Sequence, residues 1–393
     1  MPPSPERRIR SLDGLRGLAA VVVVVDHSLL TSPVISHVKA GTAPGRVHGW
    51  AWWVSYTPLH LFWAGPEAVY IFFVLSGFVL AIPAARPGFS WAAYYPRRLF
   101  RLYVPVFVSL LLAMLTLGLV MRRVIHGASP WLNTNHIDGS VGMVLHDAML
   151  VRGVSLLNSP LWSLQWEVIF SLLLPLYLVA ARVVPSLGLA KAAFLLLVIV
   201  FAARVDGGTA LPVFGLGVLL AYHRDTLARL AVRLSRPLWI ALTIIALLAL
   251  SSAWVGQAAL DEGTQRSELV ALEVLGAALI VFIFAFWPTA KHAGEAKPIQ
   301  WLGVRSFSLY LVHLPIVVST ALVLGGRANA LVTLAIALPL SLVVADLFYR
   351  CIEGPSHRGS QWLGRMVESR TQSPGLRRQP IAGSVAQAAR ATA

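Results

Sequence analysis

Leu, Val, Ala and Ile gather along this chain in apolar blocks, separated by short stretches rich in Arg, Pro, Gly and Trp. The blocks run for roughly 17 to 22 residues, and a helix rising about 1.5 Å per residue crosses about 30 Å of hydrocarbon in that length. They predict spans at 13–31, 64–83, 104–121, 161–181, 187–203, 209–222, 237–255, 268–287, 304–324 and 329–349. The expected fold is all-α, a polytopic membrane protein of about ten transmembrane helices. Residues 1–353 form one transmembrane domain in this reading. From 354 to 393 Arg, Gln, Ser and Gly replace the apolar residues, the composition of a disordered tail. The first apolar run has the basic flank of a signal peptide, but Arg16, Asp26 and His27 interrupt it and no small-residue cleavage site follows. It is read as an uncleaved first span.

Composition agrees with this pattern. Of 393 residues, 57% are hydrophobic and 12% charged, about half the charged share of a soluble domain. The net charge of +15 does not point to nucleic acid, because no basic run is interleaved with the aromatic or glycine patterns of such domains. It reads as topology: with the N-terminus inside, three quarters of the 32 Lys and Arg fall on cytoplasmic segments. Both termini are then cytoplasmic and the location is the inner or plasma membrane. A single Cys351 excludes an intramolecular disulfide and a thiolate metal cluster, and no metal is expected.

Ionisable groups inside spans cost roughly 2.5–3.5 kcal/mol each on insertion scales, so each one is a functional candidate. Arg16 and His27 stand eleven residues apart, three turns plus roughly 20°, and therefore face the same way. Asp13 and Ala20 share the stripe. Arg16 lies near the cytoplasmic mouth and His27 about 16 Å deeper. A polar track along one helix face follows.

Other segments carry chemistry as well. PEAVYIFFVLSGFVL (66–80) is an apolar helix with small residues at Ser76 and Gly77. YYPRRLFRLYVP (94–105) sets Arg97, Arg98 and Arg101 at helical spacing, so that Arg97 and Arg101 share a face and offer planar bidentate donors to phosphates. The plain reading of these arginines is a lipid-headgroup anchor and topology signal. SPLWSLQWEVIFSLLLP (159–175) places Glu167 about one turn into the fourth span from outside, near the depth of His27, where a carboxylate needs a partner or water. FSLYLVHLP (307–315) puts His313 near mid-span, and Asp346 and Glu353 flank the inner end of the last span.

In this order and at these distances the segments resemble the acyltransferase 3 family of membrane O-acyltransferases, over residues 8 to 355. Arg16 and His27 match its opening Arg and His pair; FFVLSGF, RRLFR, WSLQWE and SLYLVHLP match later blocks. Where many members carry Asp before FFVLSGF this chain has Tyr70, with Glu67 one turn earlier. The resemblance implies transfer of an acyl group, commonly acetyl, from cytoplasmic acyl-CoA to a hydroxyl of a sugar, glycolipid or polysaccharide unit, or of a macrolide-type natural product. The phosphates of CoA are then expected near Arg97, Arg98, Arg101 and Arg16, with the pantetheine arm reaching up the track to His27. A neutral imidazole suits the general base, oriented by Asp26 or Glu167, or else a nucleophile that takes the acyl group covalently before handing it on. Trp162, Tyr70 and His313 are the expected acceptor contacts.

A rival class is a transporter or flippase in which the intramembrane His, Arg and Glu relay protons or pair with anionic cargo. Acyl-CoA consumption by the purified protein separates the two. A receptor or scaffold needs no cytoplasmic arginine clamp, and a CoA-binding measurement separates that class.

Overall fold

The computed structural model describes residues 9–205, 207–260 and 267–371, and their regular structure is helical. Helix α1 (Arg10–Leu29) turns by 112° into α2 (Pro33–Lys39). Pro33 at the first turn of α2 cannot continue α1, and the side chain of Ser28 bonds the Val24 carbonyl at 2.7 Å where α1 ends. After α3 (Trp50–Tyr56), helix α4 (Gly65–Ala84) returns toward the starting face and α5 (Trp91–Leu119) leaves it again. The start of α5 is capped by Ser90, whose side chain accepts from the Ala93 N–H. At 29 residues, about 44 Å, α5 carries both RRLFR and the apolar stretch; the segment 84–103, expected as a connecting loop, is helical from Trp91 onward.

The connection 122–160, expected as an external loop, folds down into the bundle. It contains α6 (Pro130–Thr134) and α7 (Val141–Ala148). Asn158 is fully buried and donates to the Leu311 carbonyl at 2.9 Å; the Tyr310 hydroxyl donates to the Pro160 carbonyl at 2.9 Å. Asp147, also buried, accepts from the backbone and hydroxyl of Ser155 at 2.7 and 2.6 Å, so its carboxylate closes this loop. Helix α8 (Leu161–Arg182) consequently begins inside the protein.

The remainder comprises α9 (Gly188–Ala202), α10 (Ala210–Tyr222), α11 (Arg224–Arg233), α12 (Arg236–Leu250), α13 (Ser252–Leu260), α14 (Ser267–Phe286), α15 (Pro288–Gly294), α16 (Lys297–Val323), α17 (Ala330–Phe348) and α18 (Gly354–Thr371). Among the described residues seven helices are long and apolar enough to cross a membrane, or nine when the bent pairs α1–α2 and α12–α13 each count as one. Helix α10 has 13 residues, about 20 Å, which is short of a full crossing. The protein is a multi-pass membrane protein. The stretch expected as a tail from 354 is helical through 371: its buried Ser356 and Ser360 face inward and Ser356 reaches the Phe100 carbonyl at 3.4 Å, so a polar composition here marks an amphipathic helix docked on α5. Residues 372–393 of that expectation lie outside the described residues.

The bundle is organised by α1 and α16, which run parallel in constant register. Gly14 meets Gly294 and Ile299, Gly17 meets Gly303, and further along His27 meets His313. A Cβ at Gly17 would stand 2.5 Å from the Gly303 nitrogen and 2.7 Å from the Leu302 carbonyl carbon, so the two backbones touch. Gly77 of α4 and Gly217 of α10 make a second such crossing, beside a stack of Phe73, Phe214 and Phe170. The end of the bundle where α1 begins bears Arg86, Arg97, Arg101, Arg224 and Arg358 and is called the basic face below; the opposite end is the distal face.

Replacing Gly17 with Leu forces α1 away from α16. Overpacking of this kind costs about 1–3 kcal/mol, so the unfolding midpoint of the detergent-solubilised protein is expected to fall by several degrees. An unchanged midpoint would contradict the backbone contact.

Candidate active site

Helix α1 carries Arg16 and His27 on one stripe. The Nδ1 of His27 stands 2.9 Å from the Val23 carbonyl, one turn earlier on the same helix. A carbonyl only accepts, so this contact places a proton on Nδ1, and in the neutral ring the lone pair is then on Nε2. His313 of α16 repeats the device: its Nδ1 faces the carbonyls of Tyr310 at 2.8 Å and Leu309 at 3.1 Å. Its Nε2 is buried without a hydrogen-bond partner. The two rings lie 5.0 Å apart, edge to face. Trp131 of α6, 5.7 Å from the His27 ring, covers it, and the Trp131 backbone N–H donates to Ser36 of α2 at 2.9 Å. His27 keeps 18% of its side chain exposed, whereas His313 has none.

The expected partners of His27 lie elsewhere. Asp26 approaches Nδ1 only to 3.9 Å, and that nitrogen is engaged by Val23. Its carboxylate lies 4.0 Å from Lys39 of α2 and against Gly65, where a Cβ would stand 2.5 Å from Oδ2. The orienting acceptor is therefore a backbone carbonyl, and Asp26 contributes charge from a short distance. Glu167 is at a different level. It pairs with Arg98 and accepts from Ser76 at 3.2 Å, while Arg98 also donates to Ser171 at 3.1 Å. The depth expected for Glu167 assumed that α8 starts at the membrane surface; because α8 starts inside the bundle, its first turns reach the level of Arg16.

The arginines frame the approach from the basic face. A cavity of about 820 Å³ is lined by Arg16 and Asp13 of α1, Arg86, Arg101, Arg224 of α11, and Arg358 of α18. Buried Glu353 also lines it; this carboxylate faces Arg101 and Arg16 and accepts from the Ser308 hydroxyl at 2.6 Å. Arg97 and Arg98 open instead onto a neighbouring cleft of about 440 Å³ that shares Arg86 and Arg101 with the larger cavity. Arg16 is also common to the larger cavity and a narrow space beyond it, about 30 Å³, lined by Ser76, Ser163, Glu167, Phe307 and Tyr310. That is room for a couple of water molecules. Tyr310 closes it from above, bonded to Ser163 at 2.6 Å, and its ring lies 5.7 Å from His313. Cavity, Arg16, Tyr310, His313 and His27 thus follow one another along the α1–α16 seam.

Two expected acceptor contacts fall outside this line. Tyr70 hydrogen-bonds Thr209 and stands near Glu67 and Glu273. Trp162 is 40% exposed, with its ring 6.2 Å from Phe73. Periodicity alone did not reveal that Tyr70 of α4 stands near Glu273 of α14, or that Trp162 of α8 lies against Phe73 of α4. Sequence reasoning missed Trp131, for which no local signal exists, and a buried distal cluster around Glu67. There His60 approaches Glu67 at 3.3 Å, the Trp254 indole donates to it at 3.1 Å, and the Lys39 ammonium lies 5.1 Å from the Trp254 ring. The displaced carboxylate at Glu67 was the signal for that cluster. Among the described residues no group of three or more His, Cys, Asp and Glu is arranged to hold a metal ion.

The profile of an acyltransferase domain family, acyltransferase 3, matches residues 9–350. Acyltransferase MdmB of Streptomyces mycarofaciens is 31% identical over 192 residues, covering 47% of this chain and 43% of its own length. Peptidoglycan O-acetyltransferase OatA of Listeria monocytogenes is 25% identical over 378 residues, covering 88% of this chain and 55% of its own. The chain spans about half the length of these curated relatives. No solved structure matches it. Since the match runs from the first turn of α1 to the end of α17 and takes in every residue of the Arg16–His27–His313 line, the chain belongs to the acyltransferase 3 family.

Proposed function

We propose that this protein is a membrane O-acyltransferase that moves an acetyl group from cytoplasmic acetyl-CoA to a hydroxyl of a glycan or glycolipid approaching from the distal side. The basic face is the cytoplasmic one in this reading, the chain crosses the cell membrane ten times with α10 as a short span, and both termini lie inside, as the distribution of Lys and Arg favours. The observation that carries the proposal is the pair of imidazoles, each with Nδ1 against a backbone carbonyl, at the end of a line that starts in an arginine-lined cavity. A peptidoglycan O-acetyltransferase among the relatives favours acetyl as the acyl group and a glycan as the acceptor.

The residues divide the work as follows. Arg101 and Arg16 hold the pyrophosphate of CoA, and the pantetheine arm enters the narrow space beyond Arg16. That space admits the arm only once Tyr310 or the Arg98–Glu167 pair gives way. At His27 the acceptor hydroxyl loses its proton to Nε2 as its oxygen attacks the thioester carbonyl. The tetrahedral adduct then collapses, the carbon–sulfur bond breaks, and the imidazolium returns the proton to the departing thiolate. Asp26, close by but not bonded, stabilises the transient imidazolium through its charge. Trp131 is suited to cover a sugar face as it meets His27. Neutral His313 has no proton on Nε2, so it serves as an acceptor for the same hydroxyl or for the imidazolium.

Removing the base tests the chemistry. A His27→Ala protein that inserts normally is expected to release CoA thiol from acetyl-CoA about 10²–10⁴-fold more slowly in the presence of acceptor; a normal rate would eliminate the role given to His27. Arg101 is assigned to binding, and a charge-assisted phosphate contact is worth about 1.5–3 kcal/mol. Arg101→Ala should therefore raise KM for acetyl-CoA by about tenfold or more while kcat changes little. An unchanged KM would remove Arg101 from the donor site.

A further inference from the structure

Helix α18 begins after the last residue matched by the family profile, yet it forms one wall of the large cavity through Gly354, His357 and Arg358. Its position is fixed. A π-helical turn over Tyr349–Glu353 links it to α17, and Glu353 at the end of that turn accepts from both the backbone and the hydroxyl of Ser308, at 3.2 and 2.6 Å. Beyond the turn, Ser356 reaches the Phe100 carbonyl, and Gly359 sits so close to the Phe100 ring that a Cβ would stand 3.1 Å from it. An arginine one residue before that contact projects from a supported helix.

The cavity wall carries five arginines against Asp13, Asp225 and Glu353, so it favours an anion of more than one charge. The arginines are not equivalent. Arg16 marks the inner end, because it also lines the narrow space toward His27. Arg101 shares Glu353 with it. Arg224 pairs with Asp225, its neighbour on α11, at 3.5 Å. Arg358 lies exposed on α18, outside the Glu353 group, at the rim. Coenzyme A presents phosphate at two separated points, the pyrophosphate adjoining the pantetheine arm and the 3′-phosphate on the far side of the ribose. With the arm in the narrow space, the pyrophosphate falls to Arg16 and Arg101, and the ribose phosphate is left for the rim.

We infer that Arg358 of α18 binds the ribose 3′-phosphate of acyl-CoA, so that a helix outside the family's matched region makes the donor site selective for CoA over its 3′-dephospho form. This rests on the donor reading above. A guanidinium is suited to the task because its planar donors match two phosphate oxygens at once.

The full-length protein in lipid nanodiscs, titrated calorimetrically with CoA and with 3′-dephospho-CoA, tests it. The wild type is expected to prefer CoA by about tenfold or more, the scale of one charge-assisted phosphate contact. Arg358→Ala should bind both ligands with the affinity that the wild type shows for 3′-dephospho-CoA, and Arg358→Lys should keep part of the preference. Retained preference in Arg358→Ala overturns the inference. So does an equal loss of both ligands, which would mean that α18 only shapes the wall. A wild type that binds the two ligands equally tightly also overturns it and leaves the donor reading standing, whereas a wild type that binds neither brings down both.

Discussion

The contact on which the site depends is the backbone approach of α1 and α16. Two parallel helices touch at Gly14, Gly17 and Gly303, and the same register carried onward sets His27 against His313 at 5.0 Å. In a bilayer no hydrophobic force drives helices together, so close packing through small residues does that work. Larger side chains along this seam would separate the imidazoles along with the helices. The glycines near the basic face thus set a distance that matters about three turns higher.

Around that seam, polar groups are paired level by level. Glu353 answers Arg16 and Arg101, Glu167 answers Arg98, Asp26 stands by Lys39, and Glu67 is held by His60 and Trp254. Unpaired charges are costly in a low-dielectric interior, and Arg16, Arg98 and Arg101 each have a carboxylate close enough to offset them. The two histidines differ from these groups. Each sets its Nδ1 against a carbonyl of its own helix, and the Nε2 of His313 is buried without a hydrogen-bond partner.

Much of the site was legible in the chain. Helical periodicity placed Arg16 and His27 on one stripe, and the structure has them on the face of α1 that meets α16. Arg97 and Arg101 of the cluster lie at the basic face, on one cleft with Arg98. Glu167 was misplaced because sequence treats a span as starting at a surface, whereas Asn158 and Pro160 are bonded to α16 in the protein's interior. Tyr70 and Trp162 lie off the Arg16–His27 line for a related reason: knowing that a residue is on α4 or α8 does not say which neighbour it faces.

The sequence by itself determined the membrane class, the positions of nearly all long helices and the ionisable residues that lie within them. These follow from local quantities, hydropathy over some twenty residues and the helical repeat. Only the tertiary structure decided which carboxylate pairs with which arginine, that a carbonyl and not Asp26 bonds the His27 ring, and that α18 forms a wall of the large cavity. Those facts depend on contacts between residues far apart in the chain. Their geometry is set by helix packing, to which the local pattern is blind.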